Sequence, residues 1–131
     1  MKQKNTKSIE GLKASLGHLI NAKESVEIAL FNSLYHRNMQ VLMINEQGKT
    51  MRFDKTSFVE LIETRLNEGD IQENSTAQFN HAEVNGDTGH IAITRQVNLT
   101  GTQSRLALSI DFIWEEERWQ IIREVIFSQH I

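Results

Sequence analysis

The chain has 131 residues, of which 39% are hydrophobic and 24% are charged, and its formal net charge is −3 at pH 7. This length predicts one domain with a single core. The net negative charge disfavours a nucleic-acid-binding module, which needs a basic face. The absence of cysteine excludes disulfides, zinc–thiolate sites and thiol nucleophiles.

No stretch approaches the roughly 20 consecutive apolar residues of a membrane span. The basic N-terminus is not followed by the apolar segment of a signal peptide. We therefore expect a cytoplasmic protein that binds neither nucleic acid nor membranes. We also expect a flexible tail over residues 1–7 and one domain over residues 8–131.

The first part of the chain shows helical periodicity. Ser8 can cap a first helix, whose apolar residues recur three and four positions apart. Ser25 can cap a second helix of the same kind. A third is predicted after Asp54 or Thr56, and Gly69 is placed to end it.

Strands are predicted between and after these helices. A short hairpin over 39–44 and 50–53 turns at Gly48 and precedes the third helix. Four longer strands follow at 76–84, 89–99, 103–115 and 118–128. This order predicts an α+β fold with helices gathered on one face of a curved antiparallel sheet.

The last two strands indicate that both faces of this sheet are covered. In the first of them, every second residue from Leu106 to Trp114 is apolar, and the alternate positions Ala107, Ser109 and Asp111 are small or acidic. The final strand is read as apolar on both faces, with Ile121, Val125 and Phe127 against Ile122 and Ile126. Three short helices cover only one face, so we expect a homodimer through the other.

Several short runs resemble the nuclear transport factor 2-like superfamily, which includes ketosteroid isomerases and SnoaL-like polyketide cyclases. They are Leu-Tyr-His-Arg-Asn-Met-Gln-Val at 34–41, Asn-Glu-Gln-Gly-Lys at 45–49, Lys-Thr-Ser-Phe at 55–58, Ser-Ile-Asp-Phe at 109–112 and Glu-Arg-Trp-Gln-Ile at 117–121. The chain looks most like the lumazine-binding-like bacterial branch. The resemblance implies a cone-shaped curved antiparallel sheet wrapped around three N-terminal helices, with a pocket between them and a homodimer.

Asp111 is the most prominent polar residue in the predicted sheet, because it stands between Ile110 and Phe112. The resemblance aligns it with the protonated acid of the ketosteroid-isomerase oxyanion hole. An aspartate in an apolar pocket has a raised pKa and donates a hydrogen bond while neutral. The alternative is a structural ion pair with Arg95, Arg105 or Arg123.

The rest of the isomerase constellation is absent. The family's catalytic tyrosine falls near Leu16, and its general-base aspartate falls near Met43. Without a base in the cavity there is no proton abstraction, so we predict no ketosteroid isomerase activity. Cyclase or dehydratase chemistry would pair Asp111 with a histidine, and His18, His36, His81 and His90 are the candidates.

Other pocket residues are expected where the second helix meets the first strand. Tyr35 and His36 lie there, Met43 falls on the first strand, and Arg95 is a possible counter-ion for Asp111. The catalytic candidates are therefore Asp111 and His36, and the predicted pocket residues are Asp111, Tyr35, His36, Arg95 and Met43.

A metal site at His81, Glu83 and His90 is weakly indicated, because three usable ligands are not assured. We expect no metal and no cofactor.

Three functions stay open on the sequence. The leading hypothesis is a dimeric protein that binds a small apolar or aromatic ligand in a pocket between helices and sheet. The second is an enzyme of the polyketide cyclase, dehydratase or isomerase type that uses Asp111 with a histidine. The third is a dimeric protein-interaction module that presents its sheet to a partner.

Overall fold

A computed structural model of the chain describes residues 7–20, 32–67, 76–98 and 103–130. Within these ranges two helices and six strands are present. In chain order they are α1 (Ile9–Ile20), β1 (Tyr35–Ile44), β2 (Thr50–Asp54), α2 (Lys55–Asn67), β3 (Thr76–Asn85), β4 (Thr88–Asn98), β5 (Gln103–Glu115) and β6 (Arg118–His130). Residues 32–34 are helical and lead into β1. The predicted start of a helix at Ser25 and the predicted cap at Gly69 lie outside the described residues.

Both described helices begin at the caps that the sequence predicts. The hydroxyl of Ser8 accepts a hydrogen bond from the backbone N–H of Gly11 at 3.1 Å. At the start of α2 the carboxylate of Asp54, rather than Thr56, accepts from the backbone N–H of Ser57 at 2.9 Å. Ser57 in turn accepts from the N–H of Asp54 at 3.1 Å, so both termini satisfy donors that have no partner within the helix.

The strands form one curved, unclosed sheet in the order β2-β1-β6-β5-β4-β3 among the described residues. Strands β3 to β6 form the predicted antiparallel meander, and β1 and β2 form the predicted hairpin. The hairpin joins the meander through a parallel pairing of β1 with β6. Alternation within a strand carries no information on the direction of its neighbour, so the sequence did not predict this pairing.

The two faces of the sheet follow the alternation in β5. The inner face carries the buried side chains of Leu106, Ile110 and Phe112, and the outer face carries Ala107, Ser109 and Asp111 between them. The helices pack on the inner face. Leu12 of α1 is fully buried against β4, where a Cβ atom on Gly89 would lie 2.9 Å from a Leu12 methyl carbon.

A β-bulge in β6 changes which of its residues face inward. Phe112 is paired with Ile121 and Asp111 with Arg123, so Ile122 is an extra residue. Ile121 and Ile126 therefore share the inner face, while Val125 and Phe127 lie on the outer face. The predicted assignment of residues in the final strand to two faces was wrong, because the inserted residue reverses the alternation of faces for every residue after it.

The turn between β5 and β6 has an unusual backbone. Its two residues, Glu116 and Glu117, have φ values of 57° and 59°. Tight hairpin turns of this handedness favour Asn and Gly, because side chains with a Cβ are strained at positive φ. The hairpin that the sequence predicts at Asn85-Gly86 needs no such strain, since Gly86 itself has the positive φ of 64°.

Candidate functional site

Three ionisable side chains from three strands meet on the inner face. Tyr35 begins β1 and is paired with Ile121, and Glu124 of β6 is paired with Ile110. Arg95 of β4 is paired with Leu106 of β5. We call Tyr35, Arg95 and Glu124 the inner cluster. Its strand neighbours Leu106, Ile110 and Ile121 are buried apolar residues of the core.

Glu124 is the buried acid of the inner cluster, with 5% of its surface exposed. Burial raises the pKa of its carboxyl to about 7, because the charged form loses hydration. The positive charge of Arg95 and a hydrogen bond with Tyr35 oppose this rise. Glu124 therefore changes its charge near neutral pH, unlike an ordinary glutamate.

Tyr35 is 3% exposed, and its hydroxyl is hydrogen-bonded to Glu124. Burial first, and then the negative charge of Glu124, raise the pKa of this hydroxyl well above its usual value. The hydroxyl is thus a permanent donor at physiological pH. The ring packs edge-on against Phe58 of α2, with centroids 5.6 Å apart, which fixes its position.

Arg95 is partly buried and supplies the positive charge of the inner cluster. Desolvation lowers the pKa of its guanidinium, while Glu124 and Tyr35 raise it. An arginine remains protonated under these opposing effects. The inner cluster therefore joins a fixed cation, a fixed hydroxyl donor and an acid that titrates near pH 7.

Asp111 lies apart from the inner cluster, on the outer face of the sheet. Its carboxylate is 2.7 Å from Nδ1 of His90, and the two side chains are 47% and 30% exposed. The hydroxyl of Ser109 lies 3.4 Å from Nε2 of the same histidine. In the strand register Asp111 is also opposite Arg123. The structure thus brings Asp111 together with one predicted histidine but not with Tyr35 or Arg95.

His36 lies beside the β5–β6 turn and is 4% exposed. Its Nδ1 accepts a hydrogen bond from the backbone N–H of Asn38 at 3.0 Å. Its Nε2 lies 3.0 Å from the carboxylate of Glu115, so this nitrogen carries the proton and donates it. Both ring nitrogens are engaged in holding β1 against the end of β5.

The remaining predicted residues have different surroundings. Met43 is partly buried beside the core and is paired with Ile126 of β6. His81 and Glu83 form an exposed contact on β3, 3.5 Å apart. The side chain of His18 is outside the described part of α1. Among the residues that the structure describes, no three His, Asp or Glu side chains converge as metal ligands.

Glu124 is the site residue that sequence reasoning missed. A signal was present, since Arg123 and Glu124 interrupt the apolar run from Ile121 to Ile126 much as Asp111 interrupts the run on β5. The bulge at Ile122 decides whether Arg123 or Glu124 faces inward, and the sequence does not show it. Within the described ranges, neither helix has the length and apolar character needed to cross a membrane.

The comparisons with known proteins identify the fold. No family model and no curated protein matches the sequence. An NTF2-like protein of unknown function from Shewanella baltica superposes with a TM-score of 0.72 at 9% identity, covering 97% of this chain and 100% of that one. One from Methylobacillus flagellatus gives 0.71 at 16% identity, covering 92% and 91%. One from Silicibacter pomeroyi gives 0.69 at 12% identity, covering 93% of each chain.

These similarities extend over nearly the whole chain and confirm the predicted architecture. A SnoaL-like or lumazine-binding-like branch stays a prediction. The chain has the nuclear transport factor 2-like fold.

Proposed function

We propose that the protein binds a small, mainly apolar molecule on the inner face of the sheet, and that Tyr35, Arg95 and Glu124 make its polar contacts. One observation carries the proposal: an acid, a hydroxyl and a cation from three strands meet inside an apolar core. Burying such groups costs free energy that an apolar core would avoid. Concave apolar sites with a few convergent polar groups are typical of small-molecule binding.

The test is a thermal-shift screen with small aromatic and aliphatic acids, amides and alcohols. We expect compounds that stabilise the wild-type protein to lose this effect in Tyr35→Phe and Glu124→Leu, which remove the polar groups. The matched control is Glu83→Leu, which changes an exposed glutamate on the outer face of β3. Stabilisation that survives both inner substitutions, or that is lost in Asp111→Asn instead, would contradict the inner site.

A second candidate function is enzymatic and rests on the outer face. The carboxylate of Asp111 holds Nδ1 of His90 at 2.7 Å, which is the arrangement that orients a histidine as a general base. We propose that Nε2 of His90 would then accept the proton of a substrate. Exchange of the α-protons of ethyl acetoacetate in D2O, followed by NMR, tests this. Equal rates for the wild type, His90→Gln and the control His81→Gln would contradict it.

We further propose that two copies associate through the outer face. Phe127 is 48% exposed there, in register with Ile44 of β1 and Ala107 of β5. Leu42 and Val125 are paired on the same face and extend this apolar patch. An exposed patch of this kind is unfavourable unless it is covered. Light scattering should therefore show a dimer that Phe127→Lys converts to a monomer, while Met51→Lys on β2 leaves it intact.

A further inference from the structure

The inner cluster has a charge balance that selects the kind of molecule it accepts. Arg95 contributes a positive charge, whereas Glu124 is the only acid facing it from the inner positions of the described strands. The hydrogen bond to Glu124 comes from Tyr35, and Arg95 acts on the carboxyl through its charge. The inner face therefore holds a net positive charge whenever Glu124 is protonated.

The groups that face Glu124 can be named for each strand packed against it. Tyr35 faces it from β1 and Arg95 from β4. The neighbouring inner position of β5 is Ile110, and the next inner position of β6 is Ile126. Within the described residues no second acid or base on these strands shares its surroundings, so burial, the charge of Arg95 and the hydrogen bond with Tyr35 govern the protonation of Glu124 until a molecule binds.

We propose that the inner cluster binds a small apolar molecule through a carboxylate, and that Glu124 takes up a proton as this carboxylate binds beside Arg95. The inference rests on the proposed function and specifies its ligand class. A carboxylate placed between Arg95 and the Tyr35–Glu124 pair accepts hydrogen bonds from the guanidinium and from the tyrosine hydroxyl.

Proton uptake follows from the repulsion between two buried carboxylates. An ionised ligand and an ionised Glu124 would share one cation in a medium of low polarity, which disfavours the double anion. A protonated Glu124 instead offers an O–H donor to the ligand. One proton is therefore bound with each ligand whenever Glu124 is ionised in the free protein.

The test uses calorimetry with 1-naphthoate and its uncharged analogue 1-naphthamide. Because the pKa of Glu124 is about 7, naphthoate should bind about tenfold more weakly at pH 8 than at pH 6. Titrations at pH 8 in phosphate and in Tris, whose ionisation enthalpies differ, should show about one proton taken up per ligand. In Glu124→Gln, naphthoate affinity should be the same at both pH values and close to that of the wild type at pH 6. The control Glu83→Gln should retain the tenfold change.

Four outcomes overturn the inference in different ways. Naphthoate affinity that is independent of pH in the wild type would contradict the proposed proton uptake. Naphthamide binding as tightly as naphthoate removes the carboxylate preference, although the proposed binding function stands. If neither naphthoate nor the longer probe decanoate binds, but neutral compounds still stabilise the protein through Tyr35, the carboxylate ligand class is wrong and the proposed binding function stands. Failure of every compound in the screen removes both proposals.

Discussion

The two faces of the sheet each carry a carboxyl group bonded to a neighbouring side chain, but the surroundings of the two groups differ. Glu124 is 5% exposed on the inner face and bonds to Tyr35 within an apolar core. Asp111 on the outer face has a 47% exposed side chain and bonds to His90. Water screens the outer pair, whereas the inner pair is held in a medium of low polarity. Burial therefore gives Glu124 a strong influence on the stability of the fold and on its pH dependence.

The largest expected effect is a pH dependence of stability caused by Glu124. Its folded pKa of about 7 lies above the ordinary value of 4.5, so the folded state binds more protons between these values. Stability from this group is complete below pH 4.5 and is lost as the pH rises towards 7 and above. The shift corresponds to about 3 kcal/mol.

Glu124→Gln isolates this contribution, because the amide stays neutral at every pH. We expect the variant to match the wild type within about 1 kcal/mol at pH 5 and to be more stable by about 2–3 kcal/mol at pH 8. Urea unfolding at both pH values measures the difference. The control Glu83→Gln should have the same free energy of unfolding as the wild type at each pH. An equal change in both variants would mean that burial of Glu124 does not cause the pH dependence.

Packing is the second contrast between the faces. Gly89 is buried on the inner face, and a Cβ there would lie 2.9 Å from a methyl carbon of Leu12. We expect Gly89→Ala to destabilise the protein by about 2 kcal/mol, because Leu12 is enclosed and cannot move freely. Ala107→Ser on the exposed outer face should change stability by less than about 0.5 kcal/mol.

A double-mutant cycle with Leu12→Val shows whether this contact is the cause. The smaller side chain gives a Cβ at position 89 more room, so the double variant should lose less than the sum of the single losses. Strict additivity would assign the cost of Gly89→Ala to the backbone of β4 instead.

The fold could be predicted from the sequence to a greater extent than the site. Helix periodicity, the caps at Ser8 and Asp54 and the alternation in β5 are local features, and the structure confirms them. The sidedness of β6 is not local, because it depends on one inserted residue at Ile122. That residue turns Glu124 inward and Arg123 outward. Tyr35 and Arg95 were predicted near a pocket and do share the inner cluster, but the acid beside them is Glu124.

The turn between β5 and β6 allows backbone strain to be compared with the effects of burial. Glu116 and Glu117 both have positive φ, at a cost of about 1 kcal/mol each. Glu117→Gly should therefore stabilise the protein by about 0.5–1 kcal/mol, after the greater flexibility of glycine in the unfolded chain is subtracted. Thermal unfolding measures this gain, and Glu46→Gly in the β1–β2 turn serves as the control. A loss of stability in Glu117→Gly would mean that contacts of the glutamate outweigh the strain.

The smallest expected effect belongs to Asp111, and it tests whether the outer face is open to solvent. Asp111→Asn keeps an oxygen that accepts from Nδ1 of His90, and the side chain is half exposed. We expect a loss of about 0.5 kcal/mol in urea unfolding, reduced further in 1 M salt. Asp111 is four positions along β5 from Ala107, so the apolar patch around Phe127 need not cover it. A loss above about 2 kcal/mol that appears only at high protein concentration would show that a second copy buries Asp111 as well. The contrast between the two faces would then hold for the single chain but not for the dimer.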